Sequence, residues 1–277
     1  MLEKFIYENH KGQRFIGLEN GVYLNQNDLR DYSWSYETIN NKISRFHRSV
    51  RDRKLPLVFA GLSAEKATAA KNRLLEIAEA DIEARLPGKI FIGEYYTLGY
   101  ITASAKTNYL LSKRYCNIDL TFTSDDPIWY KETTYVFLPT EDASGAVYGG
   151  TIEYPYDYSY DYSTNMTGRR VGNDSVSSSA FRLRIYGEAA NPMITIGGNV
   201  YQINGTVEAG ATLLIDSITK TIVMTDADGY SENWFDKRGR TGYIFTPIAA
   251  GMNTVNWSGL FGFDLTVIEK RSEPKWT

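Results

Sequence analysis

The chain has 277 residues, 43% hydrophobic and 14% aromatic, a length that suits two domains of ordinary size. Its 30 Lys and Arg against 33 Asp and Glu give a net charge of −3, which disfavours binding of polyanions, while one cysteine and two histidines exclude an internal disulfide framework and a Cys- or His-rich metal centre. No apolar run reaches the roughly 20 residues of a membrane-spanning helix, and the charged start does not resemble a signal peptide, so we expect a soluble protein made in a cytosol.

Two turn signals near the N-terminus predict β-hairpins. Asn20-Gly21 stands between two apolar stretches, and both residues tolerate the positive φ that a tight hairpin turn needs. The segment from Asn9 to Gly12 is typical of an earlier turn, and we expect His10 to face water there.

One clear helix is predicted over residues 63–86. Ser63 can cap its start, and Pro87-Gly88 stops it. Apolar residues three or four positions apart form one stripe that we expect to pack on a sheet: Ala67, Ala70, Leu74, Ala78 and Ile82. After the helix, residues 116–123 alternate between apolar and polar, which predicts a strand with Cys116 as a buried core residue rather than a nucleophile.

A basic stretch lies between the first hairpins and the helix. It contains six basic residues against one acid, Asp52; the basic ones are Lys42, Arg45, Arg48, Arg51, Arg53 and Lys54. The stretch fits a solvated edge strand whose charges prevent stray pairing, and it also fits a contact with an acidic protein surface. A nucleic-acid contact is the third interpretation, and the negative net charge argues against it.

The middle of the chain has a row of tyrosines at every second position: Tyr154, Tyr156, Tyr158, Tyr160 and Tyr162. In an extended chain all five rings project to one side. Such a row can stack on sugars or hold a partner chain, but we favour a contact that clamps an interdomain segment onto its own domain. The Gly- and Ser-containing residues 168–179 then read as a flexible polar linker.

From residue 181 onward the pattern is one of short strands and turns, which argues for a β-sandwich or jelly roll. Residues 193–196 are expected to pair with 200–203, and residues 211–215 with 221–224. The predicted core contains Ile194, Ile196, Leu213, Ile215, Ile222, Leu265 and Val267. Asp226 and Asp228 lie in a segment that lacks the further ligands of an EF-hand, so a plain turn is favoured over a calcium loop.

The sequence carries no catalytic signature and implies no cofactor or metal. It has no Gly-rich phosphate loop, no G-x-S-x-G elbow and no H-E-x-x-H. A glycoside hydrolase would need a pair of acids, for which Asp125, Asp126, Asp226 and Asp228 are available, but such acids are common in turns. Trp234 and Trp257 are weak candidates for stacking on a glycan, which would make the chain a carbohydrate-binding module.

An ordered set of segments resembles the distal tail proteins of phages and prophages with long, non-contractile tails that infect Gram-positive bacteria. The set covers nearly the whole chain, although no single motif is decisive. It comprises the N-terminal hairpin, the basic strand ending in residues 57–61, the helix leading into 86–89, the strand running into 124–129, the Tyr/Asp segment 154–158, Asn191-Pro192 and the ending 271–276.

The resemblance implies a structural protein of the virion tail tip and baseplate, made in the host cytoplasm, not an enzyme. It forms a ring, usually a hexamer, between the tail tube and the tip. Partners implied are the major tail protein, the tape-measure protein, the tail-associated lysin and the receptor-binding protein. The fold implied is mainly β with one main helix: a ring-forming β domain over residues 1–150 and a galectin-like β-sandwich over 181–277, joined by a linker over 151–180. About 97 residues from 181 to the end leave no room for an inserted carbohydrate-binding module.

With this resemblance, the basic stretch becomes a candidate subunit interface. We expect Arg48, Arg51 and Arg53 to meet an acidic surface of a neighbouring subunit, and no nucleic acid to be bound specifically. The second domain is expected to be a docking scaffold, because fold alone does not carry sugar binding. The alternative is a carbohydrate-binding module for attachment to the host surface.

Overall fold

The computed structural model describes residues 4–60, 63–107, 114–139 and 169–276, and the chain divides into two compact units. Unit 1 comprises Met1–Lys131 with Lys270–Thr277, and unit 2 comprises Glu132–Glu269. These bounds differ from the division expected above, because unit 2 begins before residue 150 and the last residues of the chain belong to unit 1. The tyrosine row 154–162 lies outside the described residues.

The first half is β-rich with one long helix among its described residues. Its elements are β1 (Ile6–Glu8), β2 (Arg14–Ile16), β3 (Val22–Leu24), β4 (Ser35–Ile39), β5 (Lys42–His47), β6 (Arg51–Phe59), α1 (Ala64–Ala84), β7 (Gly88–Ile92), β8 (Tyr95–Thr107), β9 (Cys116–Ser124) and β10 (Trp129–Phe137). The strands pair antiparallel in the orders β2-β1-β7-β8 and β8-β9-β6-β3, so β8 takes part in both. Cys116 is buried in β9 together with Ile118, Leu120 and Phe122, as predicted.

The two predicted N-terminal turns have different outcomes. Residues 9–12 do turn the chain between β1 and β2, with Gly12 at φ +75°, and that hairpin is confirmed. The hairpin predicted at Asn20-Gly21 is wrong, because Leu18–Asn20 form a 3-10 turn and β3 pairs with β6 instead of β2. Val22 and Leu24 of β3 are buried in the core of unit 1, and this pairing across the fold outweighs the local turn preference.

Helix α1 begins after Ser63, whose hydroxyl accepts a hydrogen bond from the Lys66 amide at 3.3 Å, as the capping prediction requires. Its buried face carries Ala67, Ala70, Leu74, Ile77, Ala78 and Asp81. The prediction that Ile82 belongs to this face is wrong, since its side chain is 44% exposed. Asp81 occupies the last buried position, and Ile82 lies one residue further round the helix.

The buried carboxylate of Asp81 joins α1 to the β1–β2 hairpin. It accepts hydrogen bonds from the Tyr7 hydroxyl and from the His10 amide at 2.8 Å, and its Oδ1 lies 2.5 Å from Nδ1 of His10. The expectation that His10 faces water is therefore wrong, because its side chain is only 12% exposed. Burial, followed by the hydrogen bond to Asp81, raises the pKa of Tyr7 well above its usual range. A side chain on Gly88 would collide with both Tyr7 and Asp81, so this position requires glycine.

The second half forms a β-sandwich. Its strands are β11 (Arg170–Asn173), β12 (Ala180–Tyr186), β13 (Ala189–Ala190), β14 (Met193–Ile196), β15 (Asn199–Gln202), β16 (Thr206–Val207), β17 (Thr212–Asp216), β18 (Thr221–Thr225), β19 (Ser231–Asn233), β20 (Gly251–Trp257) and β21 (Phe263–Arg271). One antiparallel sheet has the order β19-β18-β17-β12-β21 and another the order β11-β20-β14-β15. All seven predicted core residues belong to one buried cluster of unit 2, and both predicted strand pairings are confirmed.

Residues expected in the linker take part in this sandwich. Strand β11 pairs with β20, and the buried Asn173 side chain donates to the Ile248 carbonyl oxygen at 2.9 Å and accepts from the Ser179 hydroxyl at 2.9 Å. The linker expectation therefore does not hold from Arg170 to Asn173. The polar composition of this segment predicts a flexible linker. In the structure, strand β20 provides hydrogen-bond partners for the backbone of Arg170–Asn173, which orders it.

Two further findings concern the Asp226 turn on the one hand and metal-ligating groups and membrane-spanning helices on the other. The predicted turn at Asp226 is confirmed, because Oδ1 of Asp226 accepts from the Asp228 amide at 3.0 Å and the Tyr230 amide at 2.8 Å. The part of the chain that the structure describes contains no group of three or more potential metal-ligating side chains and no helix long and apolar enough to cross a membrane.

Replacement of Asp81 by Asn tests how much the buried carboxylate contributes. Asp81→Asn turns one of its acceptor oxygens into a donor facing Tyr7 or His10, so we expect the free energy of unfolding to fall by about 2–4 kcal/mol in urea titrations. Glu79→Gln, an exposed change on the same helix, serves as the control and should stay within about 0.5 kcal/mol. Equal stability of the two variants would contradict a structural role for Asp81.

Candidate interaction surfaces

A projecting β-hairpin is the most exposed element of unit 1. We call residues 35–47, which comprise β4, β5 and their turn, the arm. Asn40 and Asn41 at the turn have φ values of 52° and 60°, and positive φ at both positions is what a two-residue hairpin turn of type I′ requires. All described side chains of the arm up to Phe46 are exposed. The large apolar residues exposed on the arm and at its base are Tyr32, Trp34, Tyr36, Ile39, Ile43, Phe46 and Val50. A concentration of apolar surface on a thin hairpin is typical of a contact with another molecule.

The basic stretch is divided between the arm and the body of unit 1. Lys42 and Arg45 lie on β5, whereas Arg48 lies at the base of the arm. The Arg48 guanidinium lies 4.2 Å from the centre of the Trp34 ring, and its Nη1 lies 3.3 Å from Oδ1 of Asp126. Arg48 therefore braces the base of the arm against the loop that follows β9, and about a quarter of its side chain stays exposed.

Arg53 lies in the interior, so it does not fit the predicted place on an exposed interface. Its side chain is fully buried, with the guanidinium 5.8 Å from the centre of the Trp129 ring. Nη2 donates to the Pro127 carbonyl oxygen at 3.4 Å, while Nε and Nη1 have no hydrogen-bond partner among the described residues. Burial, followed by the nearby charge of Arg51, lowers the pKa of Arg53 to about 10, against the opposing effect of Asp28 and Asp31. The alternation of β6 turns Arg53 inward, in line with Leu55 and Leu57.

No role was predicted from the sequence for an acidic stripe on α1, whose glutamates were expected only to lie off the apolar face. Glu76, Glu79 and Glu83 are exposed and recur at three- and four-residue spacing in the C-terminal half of the helix. Next to them, Ile82, Arg85, Tyr100 and Thr102 line a groove of about 390 Å³. Acids near a helix C-terminus oppose the helix dipole, at a cost of roughly 0.3–1 kcal/mol each in the last turn. Of the three glutamates, only Glu83 lies in the last turn, and its placement against the dipole can be recognised from the sequence alone.

The outer face of strands β6, β8 and β9 is polar. Thr123 Oγ1 donates to Oδ1 of Asp52 at 2.6 Å and lies 2.8 Å from Oγ1 of Thr102. Lys54 and Asp119 are exposed on neighbouring positions of the same sheet. Small hydroxyl side chains mixed with charges of both signs suit a face in contact with water.

Neither tryptophan proposed for glycan stacking has an open ring face. Trp234 is 3% exposed, its Nε1 donates to Oε2 of Glu232 at 2.6 Å, and the Lys237 ammonium lies 3.7 Å from its ring centre. Trp257 is half-buried against the core of unit 2, and the Arg169 guanidinium lies 4.3 Å above its ring. Both residues read as anchors of the sandwich, whereas a sugar platform needs an uncovered aromatic face.

The fold of the chain is similar to that of solved phage tail proteins. The SPP1 Dit (gp 19.1) protein, described as a paradigm of the hub adsorption apparatus in phages that infect Gram-positive bacteria, matches with a TM-score of 0.56 and 13% identity over 98% of this chain and 100% of that chain. The chain has the fold of the Dit protein. Chains of the phage P2 baseplate in its activated conformation match with TM-scores of 0.60, at 14% identity in the calcium form and 15% in the strontium form, over 99% of this chain and 100% of each. No protein-family model matches the chain, and no curated protein sequence matches it.

The Dit fold confirms the mainly β fold class and the resemblance noted from the ordered segments. At 13–15% identity the match concerns the fold, and it leaves the candidate residues untested. The interface role of Arg48 and Arg51 stays a prediction, as does the contact of the tyrosine row.

Removal of the buried charge of Arg53 should stabilise the isolated chain. Arg53→Met fills a similar volume without the desolvation penalty, so we expect the free energy of unfolding to rise by about 1–3 kcal/mol in urea titrations. The gain should shrink as the pH approaches 10, because the lowered pKa means that the buried group loses its charge there. Lys54→Met, a change of an exposed cation on the same strand, is the matched control and should change stability by less than about 0.5 kcal/mol. A loss of stability on Arg53→Met would show that its contacts with Trp129 and Pro127 outweigh the burial of its charge.

Proposed function

We propose that the chain is a non-enzymatic distal tail protein of a phage or prophage, forming a ring hub between the tail tube and the tail tip. The observation that carries this proposal is the match to the SPP1 Dit protein along both full lengths, which includes the helix-containing unit 1 as well as the sandwich. A carbohydrate-binding module would use only the sandwich, and it would leave unit 1 without a role.

In this proposal unit 1 forms the ring, usually a hexamer. The exposed apolar arm supports this assignment, because head-to-tail contacts between unlike patches close into rings when the rotation permits. The polar face of β6, β8 and β9 is suited to line the central channel, where a surface in contact with water is needed.

Unit 2 acts as the docking scaffold that points outward. Val136, Leu138 and Leu260 are exposed beside an apolar groove of about 270 Å³, which offers a contact for another virion protein. The partners in this proposal are the major tail protein, the tape-measure protein, the tail-associated lysin and the receptor-binding protein. The protein is made in the host bacterial cytoplasm and acts in the virion, at the tail tip and baseplate.

Assembly of the full chain tests the ring. At the highest concentration that stays soluble, native mass spectrometry should give a closed oligomer, with the hexamer as the main species, and negative-stain images should contain rings with a central hole. A monomer at every concentration, or filaments that do not close, would contradict the proposal.

Glycan affinity tests the role of unit 2. We expect no saturable binding of the full chain to cell-wall polysaccharides on a glycan array, because the rings of Trp234 and Trp257 are buried or covered. Saturable binding that is lost in Trp257→Ala, with folding intact by circular dichroism, would favour the carbohydrate-binding alternative.

A further inference from the structure

Basic side chains without a salt bridge and exposed apolar side chains occur together along the arm, from Lys42 at its tip to Phe46 near its base. Lys42 and Arg45 are exposed, and neither has a salt bridge or side-chain hydrogen bond among the described residues. The apolar side chains beside them are Ile39, Ile43 and Phe46, each more than half exposed. The arm of a single chain therefore leaves both kinds of surface in water, and its own α1 does not cover them.

The acidic stripe and its groove have the opposite charge and a matching apolar part. Glu76, Glu79 and Glu83 are also without a salt bridge in the part of the chain that the structure describes. Ile82 lies beside Glu79 on the exposed side of the helix and lines the groove together with Arg85, Tyr100 and Thr102. Glu83 lies in the last turn, where an acid opposes the helix dipole, so its position does not stabilise the helix of a single chain.

We propose that the arm of one copy docks on the acidic stripe and groove of α1 in a second copy of this chain. Lys42 and Arg45 pair with Glu79 and Glu83, and exposed apolar side chains of the arm cover Ile82 and Tyr100. The donor and acceptor are different patches, so each copy can give its arm to one neighbour and receive an arm from the other. The inference rests on the proposed ring hub and names the contact that closes the ring.

A second copy fits this surface better than other partners do. Nucleic acid would meet the two cations of the arm but would be repelled by the three glutamates on the same unit. A second copy supplies carboxylates for Lys42 and Arg45 of the arm and cations for Glu79 and Glu83 of the helix, two against two in the proposed pairs. Charge complementarity of this kind fixes the partner and the register of a contact.

A charge-swap series on the full chain tests this contact. The arm variant is Lys42→Glu/Arg45→Glu, the helix variant is Glu79→Lys/Glu83→Lys, and the swapped variant carries all four changes. Sedimentation equilibrium gives the association constant of each. We expect the arm and helix variants to associate at least about tenfold more weakly, because like charges then face each other, and the swapped variant to return to within about threefold of the wild type. Added salt should weaken the wild-type oligomer, since exposed ion pairs are screened.

The control variant has the same change in charge as the arm variant, but in unit 2. Arg170→Glu/Arg240→Glu alters two exposed arginines of unit 2 and should leave association unchanged. Circular dichroism and thermal unfolding check that every variant folds, and basic residues near the end of α1 should not destabilise it.

The outcomes separate this inference from the proposed function. If the wild type forms rings and the arm and helix variants do so equally well, the docking contact is wrong while the ring hub stands. Weakened variants without recovery in the swapped chain would also overturn it, because the arm then docks elsewhere. A wild type that never associates overturns both proposals.

Discussion

The buried carboxylate of Asp81 fixes the orientation of α1, and much of the surface of unit 1 depends on that orientation. A charge inside a protein is tolerated only when its oxygens are well paired, and Asp81 meets this condition through Tyr7 and His10 of the N-terminal hairpin. The helix cannot roll on the sheet without breaking these bonds. Its opposite face, with Glu79 and Glu83, is thereby held outward.

The arm imposes a second constraint, because a two-stranded hairpin has no interior. Its side chains are exposed on both faces, so Tyr36, Ile39 and Phe46 each stay more than half exposed within a single chain. Bracing at its base by Trp34, Arg48 and Asp126 gives the arm a fixed direction of exit. A braced arm loses less conformational freedom on docking than a loose one, which favours assembly from preformed chains.

The match to the Dit protein at 13% identity illustrates what such a fold requires of its sequence. Alternating apolar residues on short strands are enough to specify a sandwich, and many side chains of similar size satisfy them. The contacts that distinguish one assembly from another lie on the surface instead. In this chain the exposed features available for such contacts are the arm, the acidic stripe and the groove beside Leu138 and Leu260.

The sequence by itself determined those features that depend on neighbours along the chain. The alternation around Cys116 specifies a buried strand, the Ser63 cap begins the helix, and Gly197-Gly198 turns the chain between two paired strands. Only the tertiary structure decided where residues met distant partners. It buried His10 and Arg53, paired β3 with β6 instead of β2, and drew residues 170–173 into a sheet, because each of these placements depends on side chains or backbone groups far away in the sequence.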